Sequence, residues 1–239
     1  MRKCLGLQSV AACASLATIA RGMAACGLFH DGPSAFRASQ KAAMKRDQFN
    51  VELDRKTKMG EFKESMALDC QNIYFYDHEV DERSPEAIES GATMSQGRPS
   101  SHQESETLFV DGKTYGRNTS SWENAPPSVD DASPQWHPIS ILRSPQRECG
   151  AMKQGDGLGY VSYALILKEG RIEYAGREKI NGHRCGEYKV TFDSQAVKGV
   201  KVCLGTSDDL PYRVIGEDYT ATYNYEPVAR LALPTAGSR

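Results

Sequence analysis

The 239-residue chain is 25% charged and 39% apolar, with a formal net charge of −2. That make-up suits a globular protein with room for one sizeable domain or two small ones, and no internal repeat divides it. No basic stripe with interleaved aromatics is present, which excludes nucleic acid as a partner, and a mean hydropathy of −0.54 points to a polar tract within the fold.

The first residues differ from all that follow. Arg2 and Lys3 precede a small-residue, apolar run from Cys4 to Ala20, which stops at Arg21. The run is too short and too interrupted to span a membrane, and it has the basic and apolar regions of an export signal covering residues 1–25. Met23-Ala24-Ala25-Cys26 then resembles a bacterial lipobox, which implies Cys26 as lipid acceptor and mature N-terminus, with residues 26–33 as a tether. Met23 stands where Leu is usual and Arg21 sits close to the cysteine, so a soluble product cleaved after Ala20 or near Ala24 is the alternative. Removing residues 1–25 subtracts three of the 29 basic residues and none of the 31 acidic ones, giving a formal charge of −5. Acyl chains on Cys26 would hold the protein at a membrane surface, since each buried methylene adds ~0.8 kcal/mol.

Gly32-Pro33 ends the tether, and Ser34 is the expected N-cap of a helix through Arg46, with Phe36, Ala43 and Met44 on its apolar stripe. So few large apolar residues require the helix to lie on a sheet. Phe49-Asn50-Val51-Glu52-Leu53 alternates as a first strand, followed by Met66-Ala67-Leu68 and Ile73-Tyr74-Phe75-Tyr76. Residues 81–105 contain almost no large apolar side chains and read as a mobile polar loop. In Leu108-Phe109-Val110-Asp111-Gly112-Lys113-Thr114-Tyr115 the Asp-Gly step signals a hairpin. Trp122 follows, then a polar stretch from Glu123 to Pro138, and Ile139–Leu142 as a short helix or strand. Residues 144–159 read as irregular, and the apolar run from Tyr160 to Leu167 fits strand or helix equally. From Ile172 to Tyr225 short alternating strands joined by turn residues form an antiparallel meander.

Taken together, the hairpin at 109–115 with Trp122, the segment Asn181-Gly182-His183-Arg184-Cys185-Gly186-Glu187-Tyr188, the turn Asp208-Asp209-Leu210-Pro211-Tyr212-Arg213 and the ending Ala221-Thr222-Tyr223-Asn224-Tyr225-Glu226-Pro227 resemble the LolA-like superfamily of bacterial periplasmic lipoprotein carriers and lipid-binding lipoproteins. The likeness covers residues 34–234, is specific from about Leu108 onward, and leaves 235–239 as a tail. Where family members often carry Gly in the turn, this chain has Asp209. The resemblance implies an α+β fold, mainly antiparallel, in which an open half-barrel wraps over one or more helices. It implies an apolar cavity between them for a lipid or acylated protein, and it implies no catalytic motif. Phe36, Trp122, Tyr188, Val190, Phe192, Val202 and Tyr223 are the candidate cavity residues, and each would serve equally as core.

Cys4 and Cys13 lie in the signal, leaving Cys70, Cys149, Cys185 and Cys203 for two disulfides in an exported domain. Alternation puts Cys185 and Cys203 on the polar side of their strands. Pairing Tyr188 with Leu204 and Phe192 with Val200 superposes the apolar faces and sets Cys185 ~13 Å along the strand from Cys203, too far for a bridge. Shifting the pair until Cys185 faces Cys203 keeps the faces correct but sets Val190 opposite Lys198, so the expected bridges are long-range, Cys70 or Cys149 with one of that pair, and free thiols are the alternative. Neither His183 near Cys185, the adjacent acids Asp130-Asp131 and Asp208-Asp209, nor the five scattered histidines forms an enzyme or metal constellation. The expectation is a non-catalytic envelope protein, facing the periplasm and without cofactor or metal, that binds an acylated or apolar ligand. The alternative is an envelope interaction or stress-sensing module whose interior is filled. Neither oligomeric state nor ligand identity is legible.

Overall fold

A computed structural model describes residues 31–89, 100–122, 133–140, 145–193 and 198–232. Eleven strands form one antiparallel sheet: β1 (Gln48–Thr57), β2 (Gly60–Asp69), β3 (Tyr74–Arg83), β4 (Ser100–Val110), β5 (Lys113–Trp122), β6 (Ser133–Pro138), β7 (Gly170–Ile180), β8 (His183–Phe192), β9 (Val200–Gly205), β10 (Pro211–Ile215) and β11 (Tyr219–Asn224). The spatial order is β6-β5-β4-β3-β2-β1-β11-β10-β9-β8-β7. Two meanders thus run outward from and back to β1, which pairs with β2 on one side and β11 on the other. The edges β6 and β7 stay apart, so the sheet is an open half-barrel. Its crossover from β6 to β7 carries α3 (Pro145–Gln154) and α4 (Tyr163–Glu169) across the concave face, beside α1 (Gly32–Met44); α2 (Pro85–Glu89) follows β3.

Local chemistry explains the joints. Asp111 and Gly112 (φ 52° and 75°) join β4 to β5, and Asn181 and Gly182 (φ 48° and 88°) join β7 to β8. Positive φ at both central residues matches the right-handed twist of the flanking strands. The N-cap of α1 is Asp31 rather than Ser34: Ser34 donates its N–H to Asp31 Oδ1 at 2.7 Å, so the helix starts three residues before the expected boundary. Its buried stripe is Gly32, Ala35, Phe36, Ser39 and Ala43, whereas Met44 is exposed.

Two stretches expected to be irregular are ordered. Alternation in β3 runs on to Arg83 and pairs Val80, Asp81 and Glu82 with Glu104, Gln103 and His102, so both ends of the predicted polar loop, 81–83 and 100–105, are strand. Polar side chains suffice there because the ladder needs only backbone groups, and the His78–Glu104 (2.7 Å) and His102–Glu82 (2.6 Å) contacts add cross-strand pairs. Residues 90–99 lie outside the described set. Within 144–159, α3 forms and is closed by Gly155 at φ 77°, the left-handed residue that commonly ends a helix. The ambiguous run 160–167 resolves as α4, capped by Ser162.

The disulfides correct the sequence expectation. Cys70 joins Cys149, and Cys185 joins Cys203, with Cα separations of 5.7 and 5.5 Å. Between β8 and β9, Tyr188 faces Val202 and Val190 faces Val200, two residues from the predicted register. Leu204 therefore faces Gly186, whose missing side chain leaves room for the Tyr188 and Tyr174 rings, packed edge to face at 5.6 Å. Cys185 faces Gly205 and lies diagonal to Cys203, within bridging reach. Both sulfurs do point away from the main core, but Ile180, Leu210 and Tyr212 cover them in a smaller cluster. The turn that supplies Leu210 sets Asp209 at φ 60°, a left-handed position that Asp tolerates better than most residues.

The segment after β11 crosses the outer face and is anchored at Asp69. Burial pushes the Asp69 carboxyl upward, but hydrogen bonds from Asn72, Arg230 and the backbone of residues 71 and 72 outweigh it and hold the group below its usual range. A depressed carboxylate stabilises the fold above its unfolded-state value, and that stability is lost as pH falls through the folded value. Asp69→Asn is expected to lower the Tm at about pH 6 and to shrink the Tm loss between about pH 6 and pH 3. Thermal melts across that range check this, and a pH profile identical to the parent's would refute it.

Candidate binding site

The concave face has an apolar half and an acidic half. In the apolar half, Phe49, Val51 and Leu53 of β1, Met66 and Leu68 of β2, Tyr188 and Val190 of β8, Val202 of β9, and Ala221 and Tyr223 of β11 meet Ala35, Phe36, Met152, Tyr163 and Ile166 from the helices. Five of the seven predicted cavity residues, Phe36, Tyr188, Val190, Val202 and Tyr223, are buried in this cluster, and Phe192 is half-buried against it. Trp122 ends β5, and its side chain lies outside the described residues, as does Cys26.

These residues touch one another. Phe36 meets Tyr188 edge to face at 5.9 Å, and Phe49 packs on Tyr223 at 6.3 Å. The Tyr163 and Tyr223 phenols find partners inside the protein, as fully buried hydroxyls must. Tyr163 Oη and Ser39 Oγ are 2.8 Å apart, joining α4 to α1. Tyr223 Oη accepts the Tyr160 N–H at 2.8 Å and donates to the Leu158 carbonyl at 3.0 Å, pinning the loop between α3 and α4 to β11. Burial pushes both phenols upward. The Cys70–Cys149 bridge and Lys153, within 2.6 Å of Asp47, fasten α3 to the ends of β1 and β2.

The acidic half escaped the sequence reading. The alternation that buries Phe75 places Asp77, Glu79 and Asp81 on the same face, and in β2 Glu64 shares the face of Met66 and Leu68. Glu64 stands directly opposite Glu79, and carboxylate oxygens of Glu64, Asp77 and Glu79 lie within 4.8 Å of one another. Glu64 and Asp77 are each only 5% exposed. Tyr160 donates to Glu64, Ser105 donates to Glu79 at 3.5 Å, and burial raises Asp81. Like charges directly across a ladder repel, so this end of the concavity favours a cationic group. The signal was available: continuing the period-2 reading of Phe75 past Tyr76 aligns all three acids of β3 on the inner face. A strand that stops at Tyr76, with a polar loop from residue 81, hides that alignment.

The remaining candidates fall to structural roles. Cys185 is bridged, so a thiol paired with His183 does not exist, and the His183 ring instead stacks on Tyr212 at 4.2 Å. Asp208 accepts from the Tyr212 hydroxyl at 2.7 Å and the Leu210 N–H at 3.3 Å, a turn role; Asp130 and Asp131 lie outside the described residues. No described helix is long and apolar enough to cross a membrane.

No protein-family model and no curated protein matches the sequence. Among solved structures, the chain is similar to LprF from Mycobacterium bovis at 10% identity and a TM-score of 0.52, over 83% of this chain and 95% of that one. It also matches the LolA superfamily protein NE2245 from Nitrosomonas europaea at 12% identity, over 82% and 92% of the two chains, with a TM-score of 0.28 that carries no further weight. The likeness is one of fold. The half-barrel over helices implied by the LolA-like resemblance is the fold this chain has.

Proposed function

We propose that this chain is an exported bacterial envelope protein that acts by non-covalent binding rather than catalysis, with its interior filled by its own side chains and its partner docking on the outside of that core. The observation that supports this over an acyl-chain carrier is the packing of the apolar half, where Phe36, Tyr188, Val190, Val202 and Tyr223 share one buried cluster with side chains of helices α1, α3 and α4. An acyl chain gains ~25 cal/mol per Å² of area removed from water, and entering here it would first have to expel side chains already buried. A protein partner fits better, and the acidic half of the concavity favours one presenting lysine or arginine. Cys26 is proposed as the lipid acceptor that keeps the protein at a membrane.

Native mass spectrometry of the protein purified from membranes, with organic extraction of bound lipid, tests the reading. The expected result is a mass equal to that of the processed chain plus its N-terminal modification, with no stoichiometric second lipid. One extractable lipid per chain, retained in Cys26→Ala, would establish the carrier instead. Palmitate labelling of the parent and lost in Cys26→Ala supports the anchor, and equal labelling refutes it.

A further inference from the structure

The outer, convex face of the sheet carries a groove of about 410 Å³, within the roughly 300–1,000 Å³ usual for small-ligand sites. The register builds its floor in two rows. Tyr76 of β3 faces Ala67 of β2, which faces Asn50 of β1; Ser65 of β2 faces Glu52 of β1, which faces Thr222 of β11. At ~4.8 Å between strands, these four strands present a surface ~14 Å across. Leu231, in the segment that follows β11, forms part of the rim. That segment is held through side chains: Asn50 donates to the Glu226 carbonyl at 3.3 Å, Arg230 pairs with Asp69 at 3.2 Å, and the Leu231 N–H reaches Tyr74 Oη at 3.2 Å.

The lining narrows the ligand by chemistry. It contains no lysine or arginine, which disfavours phosphates and other anions, and its single carboxylate is too few for a divalent cation. An acyl chain would desolvate the Ser65 and Thr222 hydroxyls, the Glu52 carboxylate and the amides of Asn50, Asn181 and Asn224 without offering them a hydrogen bond. An added peptide strand needs unpaired backbone, yet the backbone of β1 and β2 is bonded into ladders on both sides. What remains is readout by side chains alone, with hydroxyl, amide and carboxylate groups set beside an apolar floor. The Tyr76 hydroxyl is committed to Glu106 at 2.6 Å, so its ring rather than its oxygen is offered. A sugar ring has this combination, an edge of hydroxyls and a face of C–H groups.

We propose that the convex groove binds a saccharide, with a ring face against Tyr76 and Ala67 and hydroxyls held by Asn50 Oδ1, Ser65, Glu52 and Thr222. The groove lies on the opposite face from the acidic concavity, so this site stands or falls independently of the partner proposed above.

Isothermal titration of the full processed chain with maltotriose, cellotriose and triacetylchitotriose tests it, alongside co-sedimentation with purified peptidoglycan to separate a free oligosaccharide from a wall polymer as the source. The expected result is saturable binding of at least one of these four probes. Glu52→Ala should weaken it about tenfold, and Ala67→Trp, which fills the floor, should abolish it. Both positions lie on the outer face, and thermal melts of each variant verify that it is folded. Absence of binding to all four probes, or binding unchanged in both folded variants, overturns the proposal.

Discussion

Replacing Cys70 and Cys149 together by alanine should lower the unfolding free energy by about 4 kcal/mol, whereas Cys185→Ala with Cys203→Ala should cost about 3 kcal/mol. The order follows from loop length. The first bridge spans 79 residues and the second 18, and a longer closed loop removes more freedom from the unfolded chain. The first bridge also ties α3, whose Met152 is fully buried in the main core, to the end of β2, so its loss frees the helix that covers the concavity. The second joins adjacent strands already held by a ladder, and its loss mainly empties the small cluster of Ile180, Leu210 and Tyr212. Urea unfolding of the two double variants and the parent measures both. A Cys185/Cys203 variant less stable than the Cys70/Cys149 variant would contradict the assignment, as would peptide mapping that recovers Cys70 linked to Cys203.

Phe36→Ala should cost about 3–5 kcal/mol, as large-to-small changes in packed aromatic cores do. Phe36 has no exposed surface, and it is the largest side chain that α1 contributes to the interior. Its removal takes away the edge contact to Tyr188 and leaves a space lined by apolar atoms. A dry apolar cavity of that kind should admit benzene, which should raise the Tm of the variant and leave the parent unchanged. The experiment bears directly on function. If the interior were an acyl-chain site, the parent would already hold a removable ligand, and Phe36→Ala would alter lipid capture and leave no new cavity for benzene to fill. Denaturant unfolding with and without benzene separates these outcomes.

Much of the fold was legible because period-2 alternation and turn chemistry are local. Phe49, Val51 and Leu53 declare a strand without reference to anything distant, and Asp111-Gly112 sits in the left-handed conformations its hairpin needs. Composition misled where backbone pairing carried the order. Residues 81–83 and 100–105 looked too polar to fold, yet they continue β3 and open β4, because a ladder satisfies amides whatever the side chains are. The acidic floor of Glu64, Asp77 and Glu79 combines both lessons: each acid was placed by alternation, but their convergence needed the register between β2 and β3.

The open half-barrel was implied only by the family resemblance, while the sequence by itself determined the antiparallel meander of the last third, the alternation that divides its two faces, the hairpin turns and the number of cysteines left to pair. All of these are properties of short windows, where φ preferences and the side-chain period act within a few residues. Only the tertiary structure decided the disulfide partners, the filling of the interior and the two polar surfaces. A bridge depends on a register that shifts two residues when Gly186 makes room for tyrosine rings, and an apolar face reads the same in sequence whether a helix or a ligand covers it. Here α1, α3 and α4 cover it, and the polar groups of the acidic end of the concavity and of the groove on the opposite face are the ones proposed to meet a partner.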